Sequence, residues 1–275
     1  MMPDPDALGD LHSHLVPGVD DGARSMQEAL DAVEAMTRVG IRRIITTPHL
    51  EASTLQDPEK AEKRIKAVQT AFRELVVAVR EHFPEVALWR GFEIALDVPD
   101  PDFSDPRVRM AGTRFVLVEW PRLSVPPGSH GPIRRIRDAG WIPVVAHPER
   151  YHGVHNDLQM AATWREAGGY LQVNHGSVLG QYGDEARNRA LRLLEAGLAS
   201  YLASDHHPRP RHGLTVKLVR EFFRELDAEE TFLTLTRTNP RRLMDDREPY
   251  AVPRITVRGG LRGRLGSFLG GKGLG

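Results

Sequence analysis

The sequence predicts an α/β protein whose parallel strands curl into a closed or nearly closed barrel. Short apolar runs alternate with amphipathic stretches almost from end to end, in seven βα-like units. Several runs are apolar on consecutive residues, as strands covered on both faces must be. No Gly-rich nucleotide fingerprint follows the first run, which counts against an open doubly wound sheet.

The expected strands are Gly9–His12, Ile41–Thr47, Ala87–Glu93, Phe115–Glu119, Ile142–His147, Tyr170–Asn174 and Ser200–Ser204. Helices fit between them. Ser25 and Glu28 have capping-box spacing, Ala29, Val33, Met36 and Val39 share one face, and Gly40 suits the helix end. Asp57-Pro58 is an N-cap and N1 pair, followed by the stripe Ile65, Val68, Phe72, Leu75 and Val79. Further helices are expected near Gly131–Ala139, Asp157–Ala167, Asp184–Ala196, Thr215–Leu226 and Glu229–Thr236. Residues 8–250 form one expected domain, since barrels of about 250 residues commonly stand alone. Residues 251–275 read as a flexible tail rich in Gly and Arg.

Composition excludes several chemistries. The chain of 275 residues has no cysteine, so disulfides, thiolate-bound zinc and a cysteine nucleophile are all ruled out. A formal net charge of zero gives no global attraction to nucleic acid or anionic membrane. The acidic N-terminus has no apolar h-region, and no apolar run approaches the roughly 20 residues of a bilayer span. A cytoplasmic location is therefore expected.

The chemistry lies in polar residues at strand ends. His12 and His14 form H-x-H, and in extended chain residues i and i+2 point the same way. His49, Glu93, Glu119, His147, and Asp205 with His207 each stand at or just after another expected strand. In a barrel these ends converge on one face. Carboxylates gathered there repel unless a cation joins them. Nitrogen and oxygen donors without sulfur suit manganese, iron, zinc or magnesium. Asp20 and Asp21 read equally as a plain turn or as ligands. Arg150, Arg209 and Arg211 follow these residues closely and suit phosphate oxygens. Of the other histidines, His82, His130, His152, His155 and His212 read as surface residues, while His175 and His206 stay open.

The motifs Asp10-Leu-His-Ser-His14, Pro17-Gly-Val-Asp-Asp-Gly-Ala23, Thr46-Thr-Pro-His49, Gly91-Phe-Glu-Ile94, Val116-Leu-Val-Glu119, Val144-Val-Ala-His-Pro-Glu-Arg-Tyr151, Val173-Asn174 with Val178-Leu179, Ala203-Ser-Asp-His-His207 and Asn239-Pro240 resemble the PHP (polymerase and histidinol phosphatase) family. More narrowly they resemble its CpsB/CapC/YwqE-type bacterial protein-tyrosine phosphatases, over about residues 8–245. The resemblance implies a distorted (β/α)7 TIM-like barrel with up to three divalent ions, manganese first. It implies one ion on His12, His14, Glu93 and Asp205, a second on His49, His147 and a bridging Glu93, and a third served by Asp21, Glu119 and His207. Arg150 would bind phosphate. The arginine that follows Ser-Asp-x-His in the family has two contenders, Arg209 and Arg211. The implied substrate is a phosphotyrosine protein, the tail of a bacterial tyrosine kinase governing capsule or exopolysaccharide synthesis. Two rival readings are a histidinol-phosphate or other small-molecule phosphatase, and a non-catalytic binding module. Nucleic acid is not an expected partner; an oligomer is compatible.

Overall fold

The computed structural model describes residues 4–152, 158–208 and 213–257. Its strands are β1 (Leu8–Asp10), β2 (Ile41–Thr46), β3 (His49–Glu51), β4 (Ala87–Arg90), β5 (Glu93–Ala95), β6 (Phe115–Glu119), β7 (Ile142–Ala146), β8 (Tyr170–Asn174) and β9 (Tyr201–Ala203). They form two sheets, β1-β2-β4 and β3-β5-β6-β7-β8-β9, and every pairing is parallel.

Two expected strands are each broken in two. Ile41–Thr47 stops at Thr46, and after Thr47-Pro48 the chain resumes as β3. Proline has no N–H to give a ladder. Ala87–Glu93 breaks at Gly91-Phe92, where the Gly91 N–H still reaches Thr46 O at 2.9 Å. Glu93 therefore opens β5 instead of closing a strand, and His49 opens β3 beside it. Gly9–His12 and Ser200–Ser204 are shorter than expected, and β7 stops before His147. His147 and Asp205 have left-handed backbones, with φ of 34° and 52°, so neither continues its strand.

Between the strands run α1 (Met26–Arg38), α2 (Pro58–His82), α3 (His130–Asp138), α4 (Gln159–Glu166), α5 (His175–Val178), α6 (Asp184–Glu195), α7 (Val216–Glu225), α8 (Glu229–Leu233) and α9 (Asn239–Met244). Ser25 Oγ accepts from Glu28 N at 3.2 Å, but the Glu28 carboxylate turns to Arg24 N at 2.9 Å, so only half of the capping box forms. Asp57 caps α2, which buries Ile65, Val68, Leu75 and Val79. The expected helix Glu229–Thr236 stops at Leu233. It widens into a π-type turn over Thr234–Thr238 before α9.

Strand residues alternate between two apolar clusters. Leu11, Ile45, Phe115, Leu117, Ile142, Val144, Ala146, Tyr201 and Ala203 face a common interior. Ile44, Val116, Val118, Val145, Leu171, Val173 and Leu202 face the helices. The inner cluster draws on both sheets, so the two share one apolar interior. Among the described residues no ladder joins β9 to β1. Their continuations meet through single bonds, Asp205 N to His12 O and His14 N to His206 O, both 2.9 Å.

The chain stays packed beyond residue 250. Ile255 and Val257 are buried, and Val257 N donates to Glu195 Oε1 at 3.2 Å. The rest of the expected tail, 258–275, lies outside the described residues.

Candidate metal centre

The segment after β1 carries the first two histidines. Ser13 fixes it, because Ser13 O accepts from Thr46 Oγ1 at 3.0 Å and from Thr47 N at 2.7 Å. His12 Nδ1 donates to Gln172 Oε1 at 2.9 Å, and His14 Nδ1 donates to Asp20 Oδ2 at 2.8 Å. With both Nδ1 protons held, each ring turns Nε2 inward, and these two atoms lie 3.2 Å apart. Glycine is required at Gly22, where a Cβ would stand 2.1 Å from His14 O. That close approach lets Ala23 N reach His14 O at 2.9 Å and folds Asp20 and Asp21 back over the histidines.

Glu93 is the centre of the cluster. Its Oε2 lies 3.1 Å from His12 Nε2, 3.4 Å from His14 Nε2 and 3.2 Å from His49 Nδ1. Its Oε1 lies 2.9 Å from His147 Nε2. Glu119 Oε1 is 3.3 Å from His49 Nδ1, and Glu119 Oε2 is 3.8 Å from His147 Nε2. Asp21 Oδ1 stands between His49 Nε2 at 3.3 Å and His207 Nε2 at 3.2 Å. Asp205 Oδ1 reaches His12 and His14 at 3.4 and 3.6 Å, while Asp205 Oδ2 accepts from Arg150 at 2.6 Å and from Asn174 at 2.8 Å.

The nine residues expected as ligands are thus brought together. Donor atoms of seven of them fall into three groups within 4.8 Å: His12, His14 and Glu93; His49, Glu93 and Glu119; and His14, Asp21, His49 and His207; His147 and Asp205 border these groups through Glu93 and His12. By distance Glu119 sits with Glu93 and His147, and His49 also joins Asp21 and His207. This differs from the grouping implied by resemblance. Arg150 lies at the site, with its guanidinium 4.4 Å over the Tyr182 ring. Arg209 and Arg211 lie outside the described residues, as do His155 and His212. His82, His130 and His152 are exposed.

The electrostatics favour a bound cation. Burial opposes charge on His12, yet the Glu93 and Asp205 carboxylates outweigh it and push the ring up to about 9. His14 is raised likewise, against its burial, by Asp20, Asp205 and Glu93. Burial also opposes the charge on Glu93 and Asp205, but His12 and its neighbours hold both below the usual carboxylate range. Divalent ions shared among these donors would neutralise the carboxylates in place of those protons. Ring nitrogens 3.2 Å apart, both aimed at one carboxylate, fit shared coordination to divalent ions. His147 Nδ1 is buried without a partner.

Several supporting residues were not among the expected site residues, although Asp10, Glu149 and Asn174 stand in the motifs. Gln172 and Asn174 sit on the inner face of β8 and hold His12 and Asp205. Their i, i+2 spacing is the available clue, and an apolar run obscures it. Asp10, pushed up to about 6 by burial, accepts from Ser204 N at 2.9 Å and from Ser204 Oγ. Glu149, raised by burial, accepts from Asn174 N at 2.9 Å and Ser177 Oγ at 2.6 Å. His206 bridges to the Ser13 segment through its backbone, and His175 is buried away from any partner for its ring nitrogens.

Residues 8–245 match the family model for capsular polysaccharide synthesis, CpsB/CapC. The chain belongs to this family. It is 32% identical over 200 residues to the tyrosine-protein phosphatase YwqE of Bacillus subtilis, covering 72% of this chain and 76% of that one. It is 26% identical to the tyrosine-protein phosphatase CpsB of Streptococcus pneumoniae, covering 86% of this chain and 98% of that one. The fold matches a chain from the solved structures of YwqE from B. subtilis and CpsB from S. pneumoniae, described as unique metal-dependent tyrosine phosphatases. That match has a TM-score of 0.75 and 24% identity, over 91% of this chain and 100% of that one.

Proposed function

We propose that this family member is a metal-dependent protein-tyrosine phosphatase, a hydrolase of phosphotyrosine in a protein substrate. The observation that carries the proposal is Glu93, ringed by His12, His14, His49 and His147 with Arg150 beside Asp205. The family and its named phosphatase relatives support the same reading. The ligands are read as His12, His14, Asp21, His49, Glu93, Glu119, His147, Asp205 and His207, which would hold two or three divalent ions, with Glu93 central to them. Manganese is the preferred ion. The two sheets are read as the wall of one distorted (β/α)7 barrel spanning about residues 8–250.

Divalent ions held there supply Lewis acidity toward a water molecule and the phosphoryl oxygens. The chain's own residues do the rest. Arg150 presents a guanidinium to the equatorial oxygens, and Tyr182 beneath it fixes its plane. Arg209 and Arg211 follow His207 in sequence and are the candidates for a second such group. His207, anchored by Nδ1 on Asp205 O at 3.0 Å, turns Nε2 to the mouth of the site. A tyrosine leaving group, with a free pKa near about 10, needs little help from an acid. The cleft beside Arg150 encloses about 200 Å³ and is lined by Gln181, Tyr182 and Thr215.

The physiological substrate is read as a bacterial tyrosine kinase linked to capsule or exopolysaccharide synthesis, met in the cytoplasm. Among the described residues no helix is long and apolar enough to cross a membrane. The test is phosphate release by metal-stripped protein titrated with manganese, on a phosphotyrosine peptide and on histidinol phosphate side by side. Manganese-dependent release from the peptide alone supports the proposal. Turnover of histidinol phosphate alone moves the protein to small-molecule chemistry, and release from neither despite bound metal leaves a binding module.

A further inference from the structure

The metal cluster opens onto two clefts. The narrow one holds Arg150. The other, of about 930 Å³, starts at His49 and Glu119 and runs between the first turns of α2 and the segment after β6. Lys63 on α2 and Arg122 after β6 flank it, and both are exposed. Neither is engaged in a salt bridge among the described residues. Lys60 adds a further positive charge, although it also meets Asp57 at 2.9 Å. The cleft is also lined by the carboxylates Glu51 and Asp97, and Asp97 accepts from Ser53 N at 2.8 Å.

The position of Arg122 is built, not incidental. Arg122 and Leu123 both have left-handed backbones, with φ of 55° and 53°. Two successive non-glycine residues in that region are costly and persist only where neighbours fix them. Here Trp120 N donates to Tyr151 OH at 3.1 Å on one side, and His152 N donates to Leu123 O at 2.8 Å on the other. The turn is thus pinned to the segment that carries His147 and Arg150, and it sets a cation at the rim of the metal site.

We infer that this second cleft docks the polypeptide flanking the phosphotyrosine, and that Lys63 and Arg122 select an acidic flank. The inference rests on the phosphatase reading above. With the phosphoryl group at Arg150, the rest of the substrate must leave across the cluster mouth. The wider cleft adjoins that mouth at His49 and Glu119, and there Lys63 and Arg122 offer exposed positive charge beside the carboxylates Glu51 and Asp97.

The experiment uses the manganese-loaded full chain and two phosphotyrosine peptides, identical except that one carries Asp and Glu at the flanking positions and the other Ser and Gln. The quantity read is the ratio of their kcat/KM values within each variant, so any loss of folding or metal cancels. The expected ratio is about tenfold in favour of the acidic peptide at low salt, collapsing at high salt. In the Lys63→Glu, Arg122→Glu double variant it should fall below one. A wild-type ratio near one, or one that survives the double substitution, overturns the inference and leaves the phosphatase reading standing. Absence of release from both peptides removes that reading, and this inference with it.

Discussion

His12 and His14 hold protons in the metal-free cluster because Glu93 and Asp205 outweigh the cost of burying charge, with His12 pushed up to about 9. Coordination needs their lone pairs, so binding must release those protons. Titrating manganese into stripped protein near pH 7.5, in buffers of differing ionisation enthalpy, should show about one or two protons released per cluster. The release should vanish in His12→Ala, His14→Ala protein. His175 carries the opposite sign. Burial pushes it down to about 3, so the fold keeps it neutral. As pH falls from about 6.5 toward 3, the unfolded chain binds a proton that the native state refuses, and stability is lost. His175→Gln should flatten the slope of unfolding free energy against pH in that window, measured by urea denaturation. The candidate ligands were legible in the sequence as polar residues beside expected strand ends and turn-forming residues. Gln172 was not, because nothing local separates a polar residue facing a candidate site from one on an ordinary strand.

Among the elements, β1 and α9 show how tightly backbone is packed against backbone. A Cβ on Gly9 would sit 2.7 Å from Pro240 Cβ, and Thr236 O is close behind. Asn239 holds that helix in place, donating to Ser200 O at 3.0 Å and accepting from Tyr250 N at 2.8 Å. Gly9→Ala should therefore cost about 1–3 kcal/mol by overpacking. The cost should appear as a lower urea midpoint with an unchanged slope. Helix positions were readable from caps and apolar spacing, as at Asp57-Pro58 and the α2 stripe. Strand ends were harder. The breaks after Thr46 and Arg90 serve the site, since they let His49 and Glu93 begin new strands side by side. Hydrophobic runs alone do not encode such a step. Arg64 is a similar case, an ordinary cation in sequence that donates to His49 O at 2.7 Å and Val19 O at 2.8 Å, tying α2 to the site.

Across the whole molecule, the candidate metal cluster sits where the β1 and β9 continuations meet, among the described residues, without a ladder. His12 and His14 lie on one side, and Asp205 and His207 on the other, with few backbone bonds between them. Ions shared by both sides would act as a fastener at that seam. Chelation should lower the melting temperature by several degrees, since saturating ligand at 100-fold above Kd adds about 2.7 kcal/mol. It should also speed amide exchange in β1 and β9 more than in β6 and β7, as hydrogen-exchange mass spectrometry would show. Uniform acceleration, or none, would mean the seam holds without metal.

The same seam bears on how the protein is made. Ser204 and Asp10, which join across it, are 194 positions apart in the chain. The first histidines leave the ribosome well before the residues that complete their site, with nearly all of the strands and helices translated in between. A nascent or truncated product therefore displays imidazoles without the carboxylate that organises them on the far side. Hydrolytic activity should appear late and abruptly in a series of lengthening chains, as a mark of completed synthesis.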